Sequence, residues 1–184
     1  MELTSTERQM IEHFRNRNLD AREGLDEDLF LMISGLTPIP NVDLLIVNEF
    51  HQVLLSYRSD EYFGTGWHFP GGCIRFGETM EERIQKTAIR ELGTNVKFCS
   101  TPLAVKDVIV PKKEAVKHPW ERGHHITVLY QCEIVTDWNV EEQNKKQGCF
   151  NETQPGYLKW FDQLPDNLLK VHDVYKDVLG AWIR

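Results

Sequence analysis

Apolar residues recur at helical spacing near the N-terminus and then give way to short, nearly continuous apolar runs. Met10, Ile11 and Phe14 follow Thr6, which can cap a helical turn. A second amphipathic run contains Leu25, Leu29, Phe30 and Ile33. Runs rich in apolar and β-branched residues predict strands at 42–48, 52–57, 95–99, 103–110, 126–135 and 157–161. The first of these runs is expected to be buried on both faces.

Two more helices are predicted in the second half of the pattern. One covers 79–92, where Thr79 and Glu82 form a capping box and Gly93 suits the position after the last turn. Its buried stripe consists of Met80, Ile84, Ala88 and Leu92. The other runs from Pro165 to Trp182, and the glycine-dense segment 64–72 is interpreted as a loop. These elements predict an α/β fold (α+β mixed sheet) with helices on the faces of the sheet.

Composition and charge limit the class of protein and its expected cellular location. The chain has 184 residues, 41% of them hydrophobic, and a formal net charge of −7, which argues against a nucleic-acid surface. The four cysteines show no C-x-x-C pairing, so structural zinc and a disulfide framework are not expected. No apolar stretch is long enough to span a membrane, and the polar N-terminus does not look like a signal peptide. A reducing, cytoplasmic location is predicted.

The segment from the glycine pair to the end of the helix at 79–92 carries the clearest chemistry. Gly71 and Gly72 allow the backbone to approach a ligand closely. Glu78 lies six residues beyond Gly72, and Glu91 lies near the end of the helix, where it can point back toward the glycines. Carboxylate and carbonyl oxygens, together with substrate phosphates, are the ligands that Mg²⁺ prefers. The spacing therefore predicts a metal held against a diphosphate.

The stretch 72–93 resembles the Nudix box, whose usual form is G-x5-E-x7-R-E-U-x-E-E-x-G. Lys86 stands in place of the arginine, and Thr87 and Arg90 stand in place of two glutamates. Because Thr87 and Arg90 cannot supply carboxylates, we expect a single cation centred on Glu91.

The same departures make the chain similar to the GDP-mannose mannosyl hydrolase branch of the Nudix family. The similarity includes 42–47, 53–58 and 67–72, and it resumes at Gln154 ahead of Lys159-Trp160. It implies a Nudix-like α/β/α sandwich over 28–184, with an N-terminal helical extension over 1–27. That extension is expected to dock a partner or the second subunit of a homodimer.

The resemblance also implies roles for individual residues. The Gly72 carbonyl, Glu91 and Gln154 would ligate Mg²⁺, with Mn²⁺ as an alternative cation. Arg58 and Lys86 would bind the phosphates as catalytic residues, and Arg58 counts as a substrate ligand as well. Asp43 would stabilise positive charge on the sugar as the glycosyl bond breaks. Two of these side chains have a structural alternative: Glu78 either joins the metal ligands or anchors the loop by pairing with Lys86, and Asp43 is either functional or a turn former.

Two positions depart from the branch and leave the base open. Cys73 occupies the place of an arginine, and Arg75 is a candidate substitute for substrate binding. Pro155 follows Gln154 where the branch has its general-base histidine. The candidate bases are His68, His118, His124, His125 and His172. Of these His124 is preferred, and Trp120 either stacks on the substrate base or covers the loop.

Three functions are compatible with these residues. The first is Mg²⁺-dependent hydrolysis of a nucleoside diphosphate sugar, resembling GDP-mannose, to nucleoside diphosphate and free sugar. The second keeps the metal but cleaves the phosphoanhydride, which yields a nucleoside monophosphate and a phosphorylated product. The third is a weakly catalytic nucleotide-sugar sensor, favoured by the loss of two box carboxylates and by the N-terminal extension.

Overall fold

The computed structural model describes residues 2–17, 19–111, 121–135 and 137–180 and shows a mixed α/β fold, as predicted. The strands are β1 (Ile39–Ile46), β2 (Val53–Asp60), β3 (Gly64–His68), β4 (Gly71–Cys73), β5 (Val96–Phe98), β6 (Ala104–Ile109), β7 (His124–Ile134) and β8 (Leu158–Phe161). The helices are α1 (Ser5–Asn16), α2 (Glu27–Ser34), α3 (Met80–Leu92), α4 (Val140–Lys146) and α5 (Lys176–Leu179), with 3-10 turns at Ala21–Glu23 and Lys170–Tyr175.

The strands form two sheets. The larger has the order β4-β1-β7-β5, and β6 also pairs with β7; β1 and β7 run parallel, while the other pairs are antiparallel. The smaller sheet has the order β3-β2-β8 and is antiparallel. One apolar core joins β1 and β7 to α3, and a second contains Leu45, Leu55, Phe69, Leu129 and Tyr175. The first core packs β1 against α3, and these two elements carry Asp43 and Glu91.

Helix α3 forms where the sequence predicts it. Thr79 accepts a hydrogen bond from the Glu82 amide, the Glu82 side chain accepts one from the Thr79 amide, and Gly93 adopts a φ of 66°. Ile84, Ala88 and Leu92 are completely buried, whereas Met80 is exposed. The stripe prediction is therefore right for the last three turns and wrong for the first.

The long C-terminal helix predicted over 165–182 does not form in the described residues. Asn167 and Leu169 instead exchange backbone hydrogen bonds with Trp67 of β3, and a 3-10 turn follows. Gly66 permits this approach, because a Cβ there would lie 2.2 Å from the Asn167 carbonyl oxygen. Tertiary backbone pairing overrides the helical spacing, and only the short α5 remains helical.

Other differences are smaller. Segment 64–72 is not a plain loop, because it contains β3 and the first two residues of β4. Helix α4 lies where no helix was predicted; Asn139 caps it, and Lys145 and Lys146 occupy its last turn. Helix α1 is capped by Thr4 rather than Thr6 and has no buried residue. Within the described residues, no helix is both long and apolar enough to cross a membrane.

Candidate functional site

A cavity of about 550 Å³ opens where β1, β4, β7 and α3 meet the N-terminal segment. Among the described residues that line it, one is a carboxylate, Asp43, and five are arginines: Arg58, Arg75, Arg83, Arg90 and Arg122. The protein as a whole has a net charge of −7, so this concentration of positive charge is local. Such a wall favours an anionic ligand, since arginine forks match phosphate and carboxylate oxygens.

Two glycines bring β4 against both β1 and α3. A Cβ on Gly71 would lie 2.3 Å from the Asp43 Oδ1 atom, and a Cβ on Gly72 would lie 2.9 Å from the Thr87 Oγ1 atom. Gly71 pairs with Asp43 in the sheet. Any side chain at Gly71 would therefore displace the strand or the Asp43 carboxylate. Because the glycine has no side chain, its backbone lines the cavity directly.

Glu78 anchors the loop that leads into α3. Its Oε2 atom accepts hydrogen bonds from the Arg75 amide at 2.9 Å and from Arg83 Nε at 2.8 Å, and its Oε1 atom contacts Lys86 Nζ at 2.8 Å. Burial alone would raise the pKa of Glu78, but the hydrogen bonds from Arg83 and Lys86 outweigh it and hold the pKa at about 2. Both Glu78 oxygens are thus occupied by protein donors. Lys86, assigned to a phosphate by the resemblance, is paired with Glu78.

Glu91 differs from Glu78 in having an oxygen without a partner. Its Oε1 atom accepts a hydrogen bond from Arg90 Nη2 at 2.7 Å, whereas its Oε2 atom is buried and unpartnered. Arg90 Nη2 also donates to the Gly71 carbonyl at 2.7 Å. A buried carboxylate oxygen without a donor is costly unless a cation or water satisfies it.

Gln154 stands apart from the cavity. Its side-chain oxygen accepts hydrogen bonds from the backbone amides of Phe150 and Asn151, the latter at 2.9 Å. The residue therefore closes a turn ahead of β8 and is not among the residues that line the cavity. Its role as a metal ligand stays a prediction from the resemblance.

Asp43 is the centre of a buried polar cluster in the cavity wall. Thr127 Oγ1 and Tyr175 Oη donate to its Oδ2 atom at 2.6 and 2.7 Å, and Asn41 Nδ2 donates to its Oδ1 atom at 2.9 Å. His172 Nδ1 lies 3.9 Å from Oδ2. Burial raises the pKa of Asp43, and the hydrogen bonds from Thr127, Tyr175 and Asn41 oppose that rise. The carboxyl group is thus fixed in position, as a reacting group requires.

An aromatic and arginine cluster forms another side of the cavity. The guanidinium carbons of Arg58 and Arg122 each lie 5.1 Å from the centre of the Phe63 ring. Arg58 also pairs with Asp60 at the end of β2. The ring of His125 lies 5.6 Å from that of Phe63. Arg58 and Arg122 therefore lie together in the cavity wall, and the role of Arg58 as a phosphate ligand stays a prediction from the resemblance.

The remaining predicted residues occupy separate places. Arg75 lines the cavity and donates from Nη1 to the Glu23 carbonyl at 2.8 Å, which ties the N-terminal segment to the loop. His124 lies outside the lining, with its Nε2 atom 3.5 Å from Asp107, whereas its neighbour His125 is in the lining. Trp120 lies outside the described residues.

Several site residues were not identified from the sequence. From the sequence, Arg90 was noted only because it replaces a glutamate of the Nudix box. No role was predicted for four further residues: Arg83, Arg122, Thr127 and Tyr175. No local pattern marks them, because β7 and the C-terminal turn reach Asp43 only through the sheet and the second core. The cluster around Asp43 depends on contacts across 84 and 132 positions of the chain.

The residues at Glu91 offer one carboxylate to a hard cation. The described residues contain no group of three or more His, Cys, Asp and Glu side chains able to hold a metal ion. A cation would therefore rest on the free Glu91 oxygen, on backbone carbonyls at the glycine pair and on oxygens of the ligand or water. That donor set is the one expected for Mg²⁺, which keeps several waters and substrate oxygens.

Comparison with known proteins identifies the family. The profile of the NUDIX domain matches residues 37–170. The low-salt glycan biosynthesis protein Agl8 of Haloferax volcanii is 33% identical over 72 residues, which cover 39% of this chain and 46% of that protein. The chain thus spans less than half of that relative. The 8-oxo-dGTP diphosphatase of Proteus vulgaris is 26% identical over 106 residues, which cover 57% of this chain and 82% of that protein.

Solved structures share the fold at low identity. A MutT NUDIX hydrolase from Burkholderia pseudomallei superposes with a TM-score of 0.57 at 20% identity, covering 78% of this chain and 98% of that one. A UDP-X diphosphatase gives a TM-score of 0.51 at 19% identity, covering 95% of this chain and 76% of that one. Because the family profile covers most of the chain, and the box residues lie together on β4 and α3, the chain belongs to the NUDIX domain family.

Proposed function

We propose that this Nudix hydrolase cleaves a nucleoside diphosphate sugar, with Mg²⁺ or Mn²⁺, into nucleoside diphosphate and free sugar. The observation that supports this most is the cavity itself. It combines an arginine-lined wall, suited to a diphosphate, with a single buried carboxylate, Asp43, among its described lining residues. The relative from Haloferax volcanii is named for glycan biosynthesis, which favours a sugar-bearing substrate.

The chain's own residues would divide the work in the following way. Arg58 and Arg122 would bind and orient the diphosphate from the side of the aromatic cluster. Asp43, held by Thr127 and Tyr175, would stabilise positive charge developing on the sugar carbon. Bound at Glu91, the cation would neutralise charge on the leaving diphosphate, which is a Lewis-acid role.

A second reaction remains a candidate because of a specific observation. Gln154 is occupied by a turn, and the residue after it is Pro155, so this segment supplies no base to the cavity. The relative from Proteus vulgaris is named a diphosphatase. Attack of water on phosphorus would give a nucleoside monophosphate and a sugar phosphate.

Hydrolysis in ¹⁸O-labelled water separates the two reactions. A panel of nucleotide sugars is first screened for phosphate release with and without added phosphatase, which acts on an exposed terminal phosphate. Label found in the free sugar is expected for the proposed reaction, whereas label found in a phosphate would overturn it in favour of the second. Tight binding of a nucleotide sugar without turnover would instead identify a sensor.

A further inference from the structure

Arg90 occupies the place at the glycine backbone where the proposed function requires a cation. We propose that its guanidinium competes with the metal ion for Glu91, and that a diphosphate relieves this competition by drawing Arg90 to itself. The inference rests on the proposed function, because it takes Glu91 as the metal ligand. It makes metal and diphosphate binding cooperative.

The competing contacts are direct. The Nη2 atom of Arg90 lies 2.7 Å from Glu91 Oε1 and 2.7 Å from the Gly71 carbonyl oxygen. It would lie 3.4 Å from a Cβ on Gly72, so the guanidinium covers the second glycine as well. The Gly71 carbonyl and the glycine backbone are among the groups that a cation at Glu91 would use, and the free Oε2 atom belongs to the carboxylate that Arg90 already holds. A guanidinium and a metal ion cannot occupy that space together.

The second carboxylate oxygen shows that the arginine only partly satisfies Glu91. The Oε2 atom is buried and has no hydrogen-bond partner, although Oε1 is bound to Arg90. A buried anionic oxygen without a donor favours the arrival of a further positive group. The carboxylate can therefore still attract a cation, because the hydrogen bond from Arg90 satisfies only one of its two oxygens.

Arg90 is free to leave its present place. Its side chain is 56% exposed, whereas that of Glu91 is 16% exposed. Arg90 lines the cavity together with Arg58 and Arg122, while Glu91 is not in the lining. A diphosphate entering the cavity offers the guanidinium two oxygens in the planar, bidentate geometry it prefers. Rotation toward that ligand would uncover Glu91.

This exchange has a thermodynamic consequence. Without a diphosphate, a metal ion must displace Arg90 and therefore binds weakly. With a diphosphate, the arginine already has another partner and the ion meets a free carboxylate. By linkage, the metal must strengthen diphosphate binding by the same factor.

Titration of the purified full chain with Mn²⁺ tests the competition. Binding is measured as the loss of the free-ion signal in electron paramagnetic resonance. Arg90→Ala is expected to bind Mn²⁺ roughly tenfold more tightly than the unmodified protein, a factor typical of coupled sites. Lys97→Ala removes the same charge from an exposed position on β5, so its affinity should not change. An Arg90→Ala affinity equal to or weaker than that of the unmodified protein would overturn the proposal.

Binding of methylenediphosphonate in the presence of EDTA tests the second half. This probe carries a non-hydrolysable diphosphate and no nucleobase. Arg90→Ala should bind it about tenfold more weakly, and Arg90→Lys should lie between, because a lysine keeps the charge but not the fork. The variant thus gains affinity for the metal and loses affinity for the diphosphate, an opposition that general structural damage would not produce. Unchanged probe affinity would refute the transfer of Arg90 to the diphosphate.

The Glu91→Gln change separates this inference from the proposed function. In the Arg90→Ala background it should abolish the gain in Mn²⁺ affinity. If the double variant binds Mn²⁺ as tightly as Arg90→Ala alone, then Glu91 is not the ligand and the metal site of the proposed function fails. If Glu91→Gln weakens binding while Arg90→Ala changes nothing, the metal site stands and only the competition is refuted.

Discussion

Glu78 and Glu91 belong to the same box but have different surroundings. Glu78 and Arg83 form a buried ion pair, with 5% of each side chain exposed, and both Glu78 oxygens accept hydrogen bonds from protein donors. Glu91 is held by one exposed arginine and has a buried oxygen left over. The first glutamate therefore maintains the loop, and the second is the one available for a ligand.

Substitution of the two glutamates should separate stability from activity. Glu78→Gln is expected to lower the free energy of unfolding by roughly 3 kcal/mol, because it leaves the charge of Arg83 buried without its partner. Glu91→Gln should cost less than about 1 kcal/mol in stability, yet reduce metal-dependent turnover by at least about 100-fold. Urea unfolding and steady-state kinetics measure the two effects. Equal losses of activity with equal stabilities would contradict this division.

At the scale of single residues, the sequence predicts the residues whose roles depend on partners close by in the chain. The choice for Glu78 between ligand and anchor depended on Lys86, eight positions away, and the structure shows that pair. Arg122 and Tyr175 carried no comparable signal. Arg122 lines the cavity and Tyr175 reaches Asp43 only because β7 and the C-terminal turn pack against β1 and the second core. Long-range packing of this kind is not encoded in any short pattern.

Secondary-structure elements show the same contrast between local and tertiary causes. Helix α3 was predictable because its cap, its C-terminal glycine and its apolar stripe all lie within it. The segment after Pro165 has helical spacing as well, but Asn167 and Leu169 form backbone hydrogen bonds to Trp67 that a continuous helix would not allow. Those bonds depend on Gly66, about a hundred positions earlier in the chain. Intrinsic helix propensity is a weak effect, and these tertiary hydrogen bonds outweigh it.

Two capping boxes of the same chemistry should respond differently to mutation. Thr79→Ala on α3 is expected to lower the free energy of global unfolding by about 1 kcal/mol, since the helix packs three buried apolar residues against the core. Thr4→Ala on α1 removes the same kind of cap from a helix with no buried residue. That helix can fray without unfolding the core, so global stability should not change. Urea denaturation compares them, and a Thr4→Ala effect as large as that of Thr79→Ala would show that α1 is coupled to the core.

At the scale of the whole molecule, charge is distributed unevenly. The net charge is −7, but the described lining of the cavity has five arginines to one carboxylate. Segment 21–33 contributes Gly24, Leu25 and Phe30 to that lining, and Arg75 binds the Glu23 carbonyl. The part of the N-terminus nearest α2 therefore helps to close the cavity, whereas α1 exposes Met10, Ile11 and Phe14. The domain boundary at 27/28 and the homodimer stay predictions.

The buried histidines should make the whole fold sensitive to mild acid. Burial, reinforced by Arg122, lowers the pKa of His125 from 6.5 to about 4, and burial lowers that of His172 to about 3. The folded protein thus binds these protons less readily than the unfolded chain. Stability is therefore full above about pH 6.5 and is lost as the pH falls toward the folded values. Each histidine is expected to lower the free energy of unfolding by about 2 kcal/mol as the pH falls from 7 to 5.

Replacement of one histidine isolates its share of this acid sensitivity. His125→Gln keeps a polar side chain of similar size but cannot take up the proton, so it should lose about 2 kcal/mol less stability than the unmodified protein between pH 7 and pH 5. Urea unfolding across that range measures the difference, and the slope against pH is the readout, because the variant also changes the absolute stability. His13→Gln on the exposed face of α1 is the control and should leave the slope unchanged. Parallel curves for His125→Gln and the unmodified protein would mean that His125 takes up its proton as readily in the folded state as in the unfolded chain, which would add a sixth positive group to the described cavity wall at mildly acidic pH.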